Sequence, residues 1–216
     1  MNKFPDINVV NDFNNPILVS PNSYTVLPFY QTRETLFDTE SYNAFLVNAI
    51  RRFRNSKTYK HYKGFLINLG LDRCQFHGNI TNEMATIEMH HNIINIHDIA
   101  YIITEHILNT VGKITTFDLV ELLKQEHKNH NIPLVMLSLT PHQLYHNTDQ
   151  FFIHPSMCFG NWTEFLKKYN KGIGIDIANK LIYYLENVIN SDGSDDYGLL
   201  DLEDNIKSWA YNNEGY

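Results

Sequence analysis

The chain has 216 residues and a formal net charge of −7, with 43% hydrophobic and 13% aromatic residues. That is enough apolar material for a core and excludes wholesale disorder, while the lack of any run of about 18 apolar residues predicts no membrane-spanning helix and no membrane partner. Two cysteines, Cys74 and Cys158, are too few for a disulfide framework, and the opening residues MNKFPDINVV carry no apolar leader, so a reducing, cytoplasmic setting is expected.

Residues 1–37 hold prolines at 5, 16, 21 and 28 and read as an irregular N-terminal arm, with a short strand near Tyr24–Leu27. Tyr42, Phe45, Leu46, Ala49 and Phe53 recur at helical spacing and predict a helix from Thr39 to about Asn55. A second helix is predicted over Tyr59–Leu69, stopped at Gly70. Arg73–His77, the turn-like GNITNE and Ala85–His90 together predict a β-hairpin.

Residues 96–111 and 116–129 read as helices. Gly112 closes the first, and Thr115 with Asp118 makes a capping box for the second. Pro133 ends that pattern and Leu134–Leu137 reads as a short strand. Thr140-Pro141 fits an N-cap followed by proline at the first helical position, opening a helix over His142–Asn147. Helices are also predicted over Trp162–Tyr169 and Asp176–Asn190. SDGSDDYG (191–198) reads as a linker before a weak helix at 199–210. The whole reads as a mainly helical α+β unit carrying a small ββ element.

Charge is unevenly spread. From Ser191 onward there are seven acids and one base, leaving −1 for residues 1–190. The tail, 191–216, reads as a solvated, mobile extension, or as a mimic of DNA that covers the basic cluster. That cluster is RRFRNSKTYKHYK (51–63), with six bases, no acid and three interleaved aromatics. Arg51, Arg52, Arg54, Lys57, Lys60 and Lys63 suit nucleic-acid phosphates, and the aromatic faces suit sugars or bases; a solvated helix face is the plain alternative.

The 11 histidines include two pairs with distinct geometry. His90 and His91 end a predicted strand, so their rings point to opposite faces. His142 and His146 are four apart on a predicted helix and share a face. One strand imidazole with two helix imidazoles makes a three-nitrogen site with open positions for a divalent metal, while His91 stays free to accept a proton from water. His97, His106, His127 and His130 read as solvent-facing or satisfied in the core.

IEMHHNI (87–93) resembles the first strand of an HNH nuclease, and IPLVMLSLTPHQLYHN (132–147) resembles its closing strand and helix. Together they resemble the ββα-metal, or His-Me finger, core of HNH endonucleases of a phage type, over residues 87–147 of the chain. The resemblance implies a nuclease domain at 38–190, with a finger core at about 73–147 and a helical insertion at 96–130. It implies hydrolysis of DNA phosphodiester bonds by a general base, His91, with one divalent metal (Mg, Mn, Ni or Zn) held by His90, His142 and His146. The family's orienting Asn has no direct match because Pro133 stands in its place. Asn131 is the nearest substitute and Asn129 the second.

The family's Cys-x2-Cys knuckles are absent, although Cys74-x2-His77 and His154-x3-Cys158 have spacing from which a structural zinc site could be built. The departures at Pro133 and the knuckles favour a second reading, a non-catalytic phage structural or DNA-packaging protein on a degenerate finger. A zinc-stabilised nucleic-acid-binding module is the third. Asn-, Ile- and Lys-rich usage fits the AT-rich genome of a bacteriophage or bacterium.

Overall fold

The structure is a computed structural model that describes residues 30–147, 152–192 and 198–213. The expected strand near Tyr24–Leu27 lies outside them. Eight α-helices and one two-stranded sheet are present among the described residues, so the α+β, mainly helical expectation holds and the ββα-metal finger is not shown.

Helix α1 spans Thr39–Asn55, capped by the Asp38 carboxylate, which accepts from the Ser41 N–H at 2.7 Å. Its apolar stripe buries Phe45, Leu46, Ala49, Ile50 and Phe53. A single residue, Ser56, ends α1 and caps α2 (Lys57–Asn68), its hydroxyl accepting from the Tyr59 N–H at 3.2 Å. Helix α3, Ile96–Val111, buries Ile99, Ile102 and Ile103 completely, and Gly112 terminates it at φ +82°, a conformation open to glycine. Helix α4, Thr116–Lys128, starts with the expected Thr115–Asp118 capping box. Helix α1 packs against α2, α3 and α4, so the stretch expected as an insertion, 96–130, lies at the centre of the main core.

Strand β1 (Ile87–His91) pairs antiparallel with β2 (Leu134–Ser138), Ile87 opposite Ser138 and His91 opposite Leu134. The expected hairpin partner is wrong: Arg73 makes only an isolated bridge to Thr81. The free edge of β2 is instead covered by Gln75, whose N–H donates to the Met136 carbonyl at 2.8 Å and whose side-chain oxygen accepts from the Met136 N–H at 2.7 Å, and by Phe159, which exchanges two backbone bonds with Leu134. A small apolar cluster of Cys74, Ile87, Val135, Met136, Leu137 and Ile153 lies under this sheet.

Strand β2 runs directly into α5, Leu139–Asn147. The helix therefore starts before the expected Thr140 cap, and Pro141 occupies the first turn, where a missing N–H costs no intrahelical bond. Helices α6 (Trp162–Lys168), α7 (Ile175–Asp192) and α8 (Leu199–Asn213) complete the fold. The expectation of a solvated, mobile tail is corrected over 199–213, because α8 packs on α7 and buries Leu199, Leu202, Ile206 and Ala210 in the main core. Asp201 and Asp204 lie on its exposed side, while Glu203 is buried and paired with Lys207.

Candidate functional site

The pleat of β1 sends Glu88 and His90 to one face and Met89 and His91 to the other. On the first face His90 meets α5, its ring centroid 4.9 Å from that of His142 and 4.4 Å from that of Tyr145. The His142 Nδ1–H donates to the Glu88 carboxylate. On the second face His91 is buried against α4, with its Nε2 3.0 Å from Nε2 of His127.

The protons in this buried pair can be assigned. His127 Nδ1 lies 2.7 Å from the Leu123 carbonyl, which only accepts, so Nδ1 carries the proton and Nε2 of neutral His127 offers a lone pair. His91 must then donate from its own Nε2. Burial holds His127 down at about 4. It pushes His91 well below the usual histidine range, helped by the nearby His127, Arg54 and His90 charges. Both rings are neutral near pH 7.

Above the strand opens a recess of about 560 Å³, bounded by Arg54 from α1, Tyr59 and Lys63 from α2, Glu88, His90 and His91 from β1, and His142 from α5. Two of the six expected phosphate-binding bases thus share a cavity with both strand histidines and the first helix histidine. Arg51, Arg52, Lys57 and Lys60 are exposed on the outer surface of the same helical hairpin. None of the six forms an ion pair with an acid among the described residues. Arg52 binds the Asn48 side chain at 3.2 Å and lies 6.0 Å from the centre of the Phe117 ring. Sequence reasoning missed Glu88 and left His127 as solvent-facing or satisfied in the core, the second of which holds, and each had a signal. Glu88 is two residues from His90 on an alternating strand, and His127 falls on the buried stripe of α4 with Leu119, Val120 and Leu123.

The expected ligand set of His90, His142 and His146 is described only for its first two members, whose rings lie 4.9 Å apart. Among the described residues, no three His, Cys, Asp or Glu side chains come together in a group that could hold a metal ion. Glu88 and His142 satisfy one another, and the ring of His146 lies outside the described atoms. Cys74, His77, His154 and Cys158 do not gather either. The Cys74 sulfur accepts from the His77 N–H at 3.3 Å, and the Cys158 sulfur accepts from the Asn92 amide at 3.1 Å. Burial pushes the Cys158 thiol up to about 11, against the pull of that Asn92 bond. Asn131 donates at 2.7 Å to Glu126, a fully buried carboxylate that also accepts from Lys168 at 2.6 Å and Tyr169 at 2.9 Å. Asn131 therefore completes a structural network and does not orient His91, whose acceptor is His127.

Neither the curated proteins nor the solved structures include a match to this chain. A family model does match, over residues 4–208, and its family is described as bacteriophage G278-like virion proteins. The match overturns the HNH resemblance and the enzyme reading, because it spans both segments that carried the resemblance and is to a virion protein family. The general-base role of His91 and the orienting role of Asn131 fall with them. Short histidine spacings arise readily on any strand and helix, whereas a match along nearly the whole chain depends on the pattern of the entire core. The chain belongs to the bacteriophage G278-like virion protein family.

Proposed function

We propose that this protein is a non-catalytic component of a phage particle that holds nucleic acid by its sugar–phosphate backbone, through the basic hairpin formed by α1 and α2. The virion part of this reading is supported by the family match over residues 4–208. The nucleic-acid part is carried by one observation: six bases within residues 51–63, on two helices joined at Ser56, with no acid paired to any of them among the described residues. Bases already matched to protein carboxylates would gain little from a phosphate. Unmatched ones release condensed counterions when they contact DNA, and that release supplies sequence-independent affinity. The overall charge of −7 does not oppose this, because residues 191–216 carry −6 of it and a local patch sets the local field.

Two measurements test the reading. Mass spectrometry of purified particles should find the chain as a constituent. In a mobility-shift assay, the full chain should bind duplex DNA of unrelated sequences with similar affinity and leave it intact. Replacing Arg51, Arg52, Lys57 and Lys60 with alanine should weaken that binding by at least about tenfold while the unfolding midpoint stays in place. Equal binding by the variant would overturn the nucleic-acid part, and absence from particles would overturn the virion part.

A further inference from the structure

Arg54 and Lys63 differ from the other four bases of the hairpin in where they point. The turn at Ser56 sets α2 at an angle to α1, so that the last turn of α1 and the middle of α2 look into the same recess of about 560 Å³. The floor is β1 and the far wall is the start of α5. Arg54 lines the recess together with His91 at the floor. Among the described residues one carboxylate lines the recess, Glu88, and it accepts a hydrogen bond from His142. Two cations therefore face a cavity whose one acid among the described residues is engaged by His142, in a concave site where charge interactions are stronger than on an open surface.

We propose that this recess is a phosphate-binding subsite, in which the Arg54 guanidinium and the Lys63 ammonium close on one phosphate group of a nucleic acid. The guanidinium offers a planar fork of N–H donors suited to two phosphate oxygens, and the ammonium adds a point charge from α2. Tyr59, on the same wall as Lys63, keeps its phenolic proton because burial raises its titration, so it remains available as a neutral donor. The volume falls in the range of small-molecule sites and accommodates a nucleotide with its phosphate. The shared chemistry is a phosphate oxygen cluster, and it has two sources: a diester inside a strand or a monoester at a strand end.

This inference deepens the nucleic-acid reading and is tested separately from it. The full chain is titrated with inorganic phosphate at constant ionic strength, chloride serving as the control anion, and followed by phosphorus NMR. Saturable uptake of one phosphate per chain is expected. Replacing Arg54 and Lys63 with alanine should weaken it by at least about tenfold, since each loses a charge-assisted bond. Replacing Lys167, exposed on α6 away from the hairpin, should leave it unchanged. A short oligonucleotide should displace the phosphate. If the 5′-phosphorylated form does so at lower concentration than the 5′-hydroxyl form, the occupant is a strand end, and equal displacement identifies an internal diester.

Absence of saturable uptake would overturn the subsite, as would equal uptake by the Arg54 and Lys63 variant. Phosphate uptake without DNA binding would sink the nucleic-acid reading and leave the subsite standing. DNA binding without phosphate uptake would do the reverse. Arg54 is exposed and Lys63 only half-buried, so the variant keeps its core, and its denaturant midpoint verifies that.

Discussion

At the scale of single residues, the buried imidazole pair makes the protein sensitive to acid. His127 is held at about 4 in the folded chain, against an ordinary value of 6.5. As pH falls through 6.5 the unfolded chain binds a proton that the folded chain refuses until about 4. The stability that His127 contributes above 6.5 is therefore lost progressively between 6.5 and 4. The gap corresponds to roughly 3 kcal/mol from His127, and the shift of His91 acts in the same direction. Arg54 from α1 and His90 from β1 add to the burial that keeps His91 neutral, while Glu126 favours the charged form of His127 without offsetting its burial. Urea unfolding across this range should show a falling midpoint, and His127→Leu should flatten the fall while lowering stability at pH 7. A wild-type midpoint that stays level from 6.5 to 4 would contradict the assigned protons.

Among elements, the tightest constraint lies where α3 meets the turn at Asn170–Gly172. A Cβ on Gly172 would sit 1.9 Å from the Ile102 carbonyl oxygen and 2.9 Å from the His106 backbone nitrogen. Both atoms belong to a helix buried in the main core and cannot move aside, so Gly172→Ala should cost at least about 3 kcal/mol, read as a drop in the denaturation midpoint. A near-neutral result would show that the contact opens easily. Element boundaries were legible where local chemistry marks them. Asn55 ends α1, Gly112 follows α3, and the Thr115–Asp118 box opens α4, all as the spacing predicts. Strand pairing was not. Ala85–His90 carries a strand pattern, but its partner is β2, beyond two helices, and periodicity says nothing about which distant strand supplies the ladder. The nearby Arg73–His77 segment was the local choice, and Gln75 was instead used to close the edge of β2.

For the whole molecule, the acidic C-terminal segment is part of the folded unit over 199–213. Its charge hid the apolar set Leu199, Leu202, Ile206 and Ala210, whose helical spacing was present in the sequence. Truncation after Gly198 should therefore expose the facing side of α7 and lower the thermal midpoint by several degrees or more, since each buried leucine or isoleucine contributes about 1.5–3 kcal/mol before entropy. An unchanged midpoint would mean that α8 is an appendage. The candidate site was legible in part. The pairing of strand histidines with a helix histidine, and the neighbouring bases, follow from pleat and helical repeat. The chemistry assigned to them did not follow, because the same spacings serve a buried hydrogen bond at His91 and a carboxylate–imidazole pair at His142 as readily as a metal.

The central claim is that the α1–α2 hairpin grips a nucleic-acid backbone in a protein that performs no cleavage. The most direct measurement is the salt dependence of duplex DNA binding by the full chain, compared with the variant lacking Arg51, Arg52, Lys57 and Lys60. The account predicts a linear fall of log affinity with log salt, reduced in the variant by up to about 0.9 for each lost phosphate contact, with intact DNA throughout. A salt slope identical in the two proteins, or DNA cut by the wild type, would contradict it.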